Sequence, residues 1–442
     1  MSHIFHRSLM KTLPTVVKGE GNYLIDDTGK RYLDACGGAA VSCLGHSNAV
    51  VTQAITTQLE QVPFAHTSFF TNDCAETLAT LLVENAPEGT GNGRVMFVGS
   101  GSEAMEAALK LARQYHLEKG ETQRSKIIAR TPSYHGNTLG ALAAGGHAGR
   151  KAPFQPLLID VDHIESPYPY RMQEEGETEA AFALRMANLL EERIEHLDAQ
   201  NVMAFIAEPV VGASLGTQPP PKGYFKRIRE ICDKHGILLI ADEVMCGMGR
   251  TGTLYALEQE GICADITTLA KGLGAGYQPI AAVLAAQKVV AAVEAGSKSL
   301  WNGHTYMSHA AATAGALAVQ QVIQNDNLLQ NIKERADQLC NALTLGLSAH
   351  PNVGDIRGRG LFLTIEIVAD KQSKQTFATT DSVAFNIQKN ALELGLMVYP
   401  AQGCADGQLG DHILLAPSYT SSIEEIDTIA ELVICAINTT LN

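Results

Sequence analysis

Short apolar segments alternate with helical patterns between about residues 75 and 310, and this alternation constrains the fold more than any other feature. The segments predicted as strands cover residues 94–98, 127–129, 157–159, 204–207, 238–241, 266–270 and 280–284. Such alternation is typical of an α/β fold in which helices cover both faces of a mostly parallel sheet, here of seven strands. Binding sites in these sheets lie at the C-terminal ends of the strands.

The segments on either side of this region follow other patterns. Residues 20–50 predict short strands joined by turns, and the chain beyond about residue 315 predicts a second compact unit that ends in a helix over 422–441. The stretch 163–200 starts with a Pro/Tyr-rich turn and continues as an acidic helix, whose apolar stripe begins at Phe182. We interpret this stretch as a surface excursion from the sheet.

The composition and the net charge limit the kinds of molecule that the protein is expected to bind. With 442 residues, of which 45% are hydrophobic, the chain can bury a sizeable core. Its formal net charge of -14 argues against a nucleic-acid or anionic-membrane surface. The nine cysteines are scattered without a Cys-x-x-Cys pair, and there is neither an apolar leader nor a run of about eighteen apolar residues. We therefore expect a cytoplasmic protein that acts on small molecules and holds no metal.

Lys271 and Asp242 each follow a predicted strand, so both polar groups arrive at one edge of the sheet. Gly272, Gly274 and Gly276 leave room for a flat ring beside the lysine. A partly desolvated lysine has a lower pKa and forms imines readily. An acid that faces the pyridine nitrogen of pyridoxal 5′-phosphate (PLP) keeps that nitrogen protonated. The pair indicates a PLP site, although each residue alone also fits an ordinary strand-end acid or a surface lysine.

A glycine-rich turn follows the strand predicted over 94–98 and leads into a helix. Gly101 and Ser102 lie in this turn, where backbone amides at a helix N-terminus predict an anion site. The letters also fit the dinucleotide fingerprint Gly-x-Gly-x-x-Ala, but the next strand ends in Arg130 rather than in a ribose-binding acid. The hydroxyl of Ser102 favours binding of the PLP phosphate over binding of a dinucleotide. The interpretation that this turn has only a structural role stays open.

Three other polar positions accompany these motifs. Tyr134 lies just after the strand at 127–129, and its ring could stack on a pyridine ring or could simply be half-buried packing. Glu208 ends the strand at 204–207, and a functional and a structural interpretation are about equally open for it. Thr305 lies in a polar loop and could donate a hydrogen bond to a phosphate oxygen.

Together these motifs resemble the class III (ω-amino) PLP-dependent aminotransferases. The matching segments are Gly101-Ser102, Tyr134-His135-Gly136, Glu208-Pro209, Asp242-Glu243-Val244, Gly249-Arg-Thr-Gly252, Lys271-Gly272 and Gly303-His-Thr-Tyr306. The resemblance covers nearly the whole chain. It implies a fold type I enzyme with a large PLP-binding domain over 61–314 and a small α+β domain built from 1–60 and 315–442. It also implies a homodimer with the site at the subunit interface.

The resemblance further implies a role for each matching residue. Lys271 is expected to bind the cofactor as a Schiff base and to carry protons as a general acid and base, with Asp242 as the partner of the pyridine nitrogen. The other expected cofactor contacts are Gly101 and Ser102 at the phosphate, Tyr134 and Val244 on the two ring faces, Thr305 at the phosphate of the neighbouring subunit, and His135 and Glu208 in the same site.

Two departures from the family bear on the substrate. Ornithine-type and 4-aminobutyrate-type members have an arginine where this chain has Leu414, and the 4-aminobutyrate type also has one where this chain has Asn137. Both carboxylate clamps are therefore missing. We expect transfer of an amino group from a primary amine or ω-amino acid to a 2-oxo acid, with pyruvate as acceptor. The alternatives are a biotin-pathway diaminopelargonate aminotransferase, a racemase, decarboxylase or aminomutase on the same scaffold, and a cofactor-free scaffolding protein.

Overall fold

A computed structural model of the protein describes residues 2–10 and 12–441. Its strands are, in chain order, β1 (Val16–Glu20), β2 (Tyr23–Asp26), β3 (Arg31–Asp34), β4 (Arg94–Val98), β5 (Lys126–Thr131), β6 (Asp162–Glu165), β7 (Val202–Ala207), β8 (Leu238–Asp242), β9 (Ile266–Leu269), β10 (Ala281–Ala285), β11 (Val353–Gly358), β12 (Leu363–Ile367), β13 (Leu396–Met397), β14 (Tyr399–Gln402) and β15 (Asp411–Leu415).

The helices begin with an irregular turn and include several long amphipathic segments. They are α1 (Gly37–Ala40), α2 (Ala49–Gln61), α3 (Asp73–Glu84), α4 (Gly101–Glu118), α5 (Leu139–Ala144), α6 (Ala148–Lys151), α7 (Pro169–Met172), α8 (Glu179–Leu197), α9 (Tyr224–His235), α10 (Gln287–Ala295), α11 (Ala310–Asn325), α12 (Leu328–Leu347), α13 (Val383–Glu393) and α14 (Ile423–Leu441). Within the described residues, no helix combines the length and the apolar character that a membrane crossing requires.

The central sheet has seven strands in the order β4-β10-β9-β8-β7-β5-β6. All neighbouring pairs are parallel except those of β10, which is antiparallel to both β4 and β9. Side chains of β7 alternate between two cores: Ala204 and Ile206 pack on the α4 side, and Phe205 packs with α8 and α9 on the other. Helices therefore cover both faces, and the predicted α/β fold with a mostly parallel sheet is confirmed.

One predicted strand and one predicted surface segment are wrong. Residues 157–159 form no strand, since Leu157 ends a short 3-10 turn that contains Pro156 and is 62% exposed. The edge strand is instead β6, which pairs with β5. The stretch 163–200 is also no surface excursion, because Phe182 and Ile194 of α8 are fully buried in the same core as the sheet. An apolar stripe predicts the buried face of a helix but not what that face contacts.

The two ends of the chain meet in smaller sheets. Strand β13 of the C-terminal part pairs in parallel with β3 of the N-terminal part, with Leu396 opposite Leu33. A second sheet, in the order β11-β12-β15-β14, is antiparallel and shares its apolar core with α12 and α14. The expected α+β unit from both termini is therefore present. The exact domain boundaries stay a prediction, and the proposed one after residue 314 falls within α11.

Candidate active site

Four parallel strands end side by side at the centre of the sheet, and their ends carry the predicted polar residues. The loop after β5 carries Tyr134 and His135, β7 leads to Glu208, β8 ends at Asp242, and β9 leads to Lys271. Because parallel strands run in the same direction, their C-terminal ends share one edge of the sheet. The structure therefore brings these five residues to the same edge, as predicted.

Asp242 is held by three groups. Its Oδ2 lies 2.7 Å from Nδ1 of His135, and its Oδ1 accepts hydrogen bonds from the backbone N–H of Val244 at 3.0 Å and from the Thr268 hydroxyl at 3.3 Å. Asp242 and His135 are both buried, and His135 Nε2 has no hydrogen-bond partner among the described residues. These contacts fix the orientation of the carboxylate, which a ring-nitrogen partner requires.

Glu208 supports the loop that carries Tyr134. Its Oε1 accepts a hydrogen bond from the backbone N–H of Tyr134 at 3.1 Å, and its Oε2 accepts one from Gly212 at 2.8 Å. Burial raises the pKa of Glu208, whereas the nearby His135 acts to lower it. The visible contacts of Glu208 are therefore structural, and a direct cofactor contact by its carboxyl stays a prediction.

Lys271 projects from a backbone turn of unusual conformation. Its φ angle is 44°, in the left-handed region that non-glycine residues rarely adopt, and it starts a 3-10 turn right after β9. The Nζ donates a hydrogen bond to the Ala39 carbonyl at 3.0 Å. Burial lowers the pKa of Lys271 to about 8, although the carboxylates of Asp242 and Glu208 oppose this shift. A larger fraction of the amine is therefore neutral and nucleophilic near neutral pH than for an ordinary lysine.

This pKa predicts how the reactivity of Lys271 depends on pH. In the cofactor-free protein, acetylation of Lys271 by acetic anhydride should reach half its maximal rate near pH 8, because only the neutral amine reacts. Lys126 is a matched control, since its hydrogen bond to Asp160 raises the pKa of its amine. Peptide mass spectrometry over a pH series measures both rates. Parallel pH profiles for the two lysines would contradict the prediction.

The start of α4 forms a narrow cradle. Ser100 caps the helix by accepting a hydrogen bond from Glu103 N, so the amides of the first turn face outward. A Cβ on Gly101 would lie 2.9 Å from Val244 Cγ1, and one on Gly136 would lie 2.7 Å from the Ser102 hydroxyl. Glycine is therefore needed at both positions for this close approach. A cradle at a helix N-terminus suits a phosphate group.

Tyr134 presents a partly open ring beside this cradle. The residue is 37% exposed, and the guanidinium carbon of Arg150 lies 4.9 Å from the centroid of its ring. Val244 is partly buried against Gly101. A buried amine, a fixed carboxylate, a glycine-lined helix N-terminus and a partly exposed aromatic ring therefore meet at one edge of the sheet. This donor set fits PLP.

Thr305 is the one predicted site residue that the structure does not join to the others. It is exposed and makes no side-chain hydrogen bond within the described residues. It lines a separate cavity of about 530 Å³ together with Gly99, Glu103 and Tyr306. The contribution of Thr305 to a neighbouring subunit stays a prediction.

Arg250 belongs to the site region but had no predicted role of its own. It is 1% exposed, and its Nη1 donates hydrogen bonds to the carbonyls of Leu361 at 2.8 Å and Pro417 at 2.6 Å. Its guanidinium lies over the Tyr419 ring, at 4.6 Å from the centroid, and its charge contributes to the lowered pKa of Lys271. Arg250 thus ties the C-terminal segment to the site. The sequence signal was its position between the glycines of the Gly249–Gly252 motif.

Leu414 marks the position of the missing arginine. It lies on β15, is 0% exposed and packs in an apolar cluster with Ala40, Val210 and Cys246. Ala40 follows the residue that accepts the Lys271 hydrogen bond, so this cluster adjoins the site. Position 414 is therefore sealed by apolar packing in this chain.

Leu414→Arg is expected to lower the free energy of unfolding by about 3 kcal/mol or more, because it buries an unpaired charge and overpacks the cluster. Leu414→Met conserves the volume, and it should cost less than about 1.5 kcal/mol. Equilibrium unfolding in urea measures both changes. An arginine variant as stable as the native protein would mean that residue 414 faces an open substrate pocket instead.

The comparisons with known proteins agree with this geometry. A family profile described as aminotransferase class-III matches residues 4–437. An uncharacterized aminotransferase of Schizosaccharomyces pombe is 43% identical over 100% of this chain and 96% of its own. An adenosylmethionine-8-amino-7-oxononanoate aminotransferase of Geobacter sulfurreducens is 35% identical over 94% of this chain and 90% of its own. An ω-transaminase of Pseudomonas jessenii, solved in complex with PMP, is 32% identical, with a TM-score of 0.92 over 100% of this chain and 96% of its own.

The protein is therefore an aminotransferase of fold type I. More specifically, the chain belongs to the class III aminotransferases, since the family profile spans nearly all of it. Enzymes of this class depend on PLP and exchange an amino group between amine and oxo substrates.

Proposed function

We propose that this enzyme uses PLP to move an amino group from a primary amine or ω-amino acid to a 2-oxo acid, with pyruvate as the acceptor. The observation that carries the proposal is the pairing at one sheet edge of a lysine whose pKa is lowered to about 8 and a buried carboxylate oriented by His135. The two groups have opposite functions in such a reaction. Lys271 must lose and gain a proton, whereas Asp242 must keep its charge.

Each residue of the site would then have a definite task. Lys271 would hold the aldehyde carbon of the cofactor and, when displaced by the substrate amine, carry a proton to and from the substrate carbon. Asp242 would face the pyridine nitrogen, and the α4 N-terminus with Ser102 would bind the phosphate. Tyr134 and Val244 would enclose the ring from its two faces. When bound, PLP supplies an electron-poor ring that accepts charge from the substrate carbon.

The proposed donor class follows from the two absent arginines. Leu414 is packed in an apolar cluster, and Asn137 contributes its backbone N–H to the Ser102 hydroxyl at 2.9 Å. A desolvated bidentate contact between arginine and a carboxylate contributes on the order of 1.5–3 kcal/mol. Without such contacts at these positions, donors that carry no carboxylate should compete well with ornithine or 4-aminobutyrate.

A diaminopelargonate aminotransferase is the second candidate, because the Geobacter sulfurreducens relative is named as an adenosylmethionine-8-amino-7-oxononanoate aminotransferase. Its donor, adenosylmethionine, is far larger than a simple amine. Racemase, decarboxylase and aminomutase activities are not proposed, because the relatives are named as aminotransferases. A cytoplasmic location stays part of the proposal, supported by nine free cysteines.

A half-reaction screen tests the proposal. The holoenzyme is mixed with single amines and amino acids, and the absorbance of the lysine-bound cofactor is followed, so that each donor is scored without an acceptor. Matched donors with and without a carboxylate are compared by kcat/KM, and adenosylmethionine is included. A preference above about a hundredfold, or 2.7 kcal/mol, for ornithine or 4-aminobutyrate would overturn the donor assignment. Reaction with adenosylmethionine alone would favour the second candidate.

The subunit arrangement is a further part of the proposal. If Thr305 binds the phosphate of the neighbouring subunit's cofactor, Thr305→Ala should raise the Kd for PLP about tenfold without lowering the free energy of unfolding. Mixing Lys271→Ala chains with Thr305→Ala chains should give dimers with one intact site. Equilibrium dialysis and sedimentation measure these effects. A fully active monomer would contradict the arrangement.

A further inference from the structure

The cations around the candidate site are nearly all engaged by protein groups. Their partners are the Ala39 carbonyl for Lys271, the Glu208 carbonyl for Arg130, and the Leu361 and Pro417 carbonyls for Arg250. Arg130 and Arg250 are each 1% exposed, so neither can reach an entering substrate. A 2-oxo acid nevertheless brings a carboxylate that needs a cation when it is desolvated.

Arg150 differs from these residues. It lies on the short turn α6 and is exposed, and its guanidinium makes no hydrogen bond or ion pair within the described residues. Its contact is the face of Tyr134, with 4.9 Å between the guanidinium carbon and the ring centroid. A cation–π contact at an exposed position contributes only about 0.5–1 kcal/mol, so a carboxylate can draw the guanidinium away from the ring.

The surroundings fix where this guanidinium can act. Tyr134 is held to the sheet edge by Glu208. The α6 turn also contacts the segment that leads to β15. His147 Nε2 lies 3.4 Å from the Gln402 carbonyl oxygen, and a Cβ on Gly403 would lie 2.7 Å from that nitrogen. Arg150 therefore lies on Tyr134 and belongs to a turn that also contacts the loop before the strand that carries Leu414.

We propose that Arg150 is a specificity-determining residue that binds the carboxylate of the 2-oxo acid acceptor. The inference rests on the proposed function and deepens it. The guanidinium fork offers two parallel N–H donors to a carboxylate, which a lysine cannot match. When the donor carries no carboxylate, the guanidinium stays on Tyr134, and the same site then accepts both kinds of substrate without an arginine at position 414.

Three variants test this role. In Arg150→Gln, the second-order rate constant of the PMP-loaded enzyme with pyruvate should fall about 10- to 100-fold, while that with propanal, which lacks the carboxylate, should change less than about threefold. Arg150→Lys should give an intermediate loss with pyruvate. Arg94→Gln is the matched control, because Arg94 is an exposed arginine paired with Glu294 and should leave both rates unchanged.

A binding measurement separates recognition from turnover. Calorimetric titration of the holoenzyme with propionate, an unreactive carboxylate, should give a Kd about tenfold higher or more for Arg150→Gln than for the native enzyme. Unchanged pyruvate and propionate values, or equal losses with pyruvate and propanal, would overturn the assignment. The donor half-reaction should persist in Arg150→Gln. If the native enzyme shows no half-reaction with any amine, the proposed function itself fails, whatever residue 150 does.

Discussion

Replacing Lys271 by alanine is expected to abolish transamination while the fold is retained. The substitution removes both the amine that would hold the cofactor and the group that would carry the proton, so the rate should fall by about 10⁴-fold or more, equivalent to about 5.5 kcal/mol of barrier. The fold should survive because the Nζ makes one hydrogen bond among the described residues, to Ala39, and its loss removes a buried amine. Single-turnover kinetics measure the rate, and circular dichroism checks the fold.

A control variant and a rescue by added amine test whether the loss of rate is specific to Lys271. Lys126→Ala removes an exposed lysine that pairs with Asp160, and it should leave the rate within about twofold of the native value. Added methylamine should restore part of the lost rate in Lys271→Ala, since a small amine can occupy the vacated volume and carry the proton. Residual turnover above about a tenth of the native rate without added amine would show that another group carries the proton.

Asp242→Asn is expected to cost about 3–5 kcal/mol of barrier, or roughly two to four powers of ten in rate. Asparagine has the same shape and can still accept the hydrogen bonds from Val244 and Thr268, so the loss reports the missing charge.

Glu243→Gln is the matched control for this substitution. Glu243 is the next residue and equally buried, but its carboxylate accepts hydrogen bonds from the backbone N–H groups of Ala256 and Leu257. Burial raises the pKa of Glu243 to about 7, and glutamine can still accept one of these two hydrogen bonds through its amide oxygen, so the substitution tests a local change next to Asp242. The control should keep most of the rate. Near-native turnover of Asp242→Asn would remove the proposed role of its charge.

The central strands could be predicted because burial on both faces makes them continuously apolar. For this reason the strands predicted over 238–241 and 266–270 match β8 and β9 to within one residue at each end. Residues 157–159 have a similar apolar content, but Leu157 ends a 3-10 turn that contains Pro156, and both Leu157 and Ile159 are exposed. A short apolar run does not distinguish a strand from a surface turn, and the burial that decides between them depends on the rest of the chain.

The polar residues at the strand ends could be predicted to lie together, because a parallel topology brings the C-terminal ends of the strands to one edge. The hydrogen bond from Lys271 to the Ala39 carbonyl could not be predicted, because the two residues are 232 positions apart in the sequence. The roles of Arg250 and Arg150 were not predicted either, because the sequence around an arginine does not show which carbonyl or aromatic ring its guanidinium contacts. Thr305 acts on a second chain in our proposal, and no pattern within one sequence shows such a contact.

The most direct test of the account is the site of cofactor attachment. Borohydride reduction of the holoenzyme followed by peptide mapping should place the pyridoxyl label on Lys271 alone, because this lysine combines a strand-end position with a pKa lowered to about 8. A label on Lys110 or Lys126, or no label at all, would contradict the assignment and the chemistry that we derive from it.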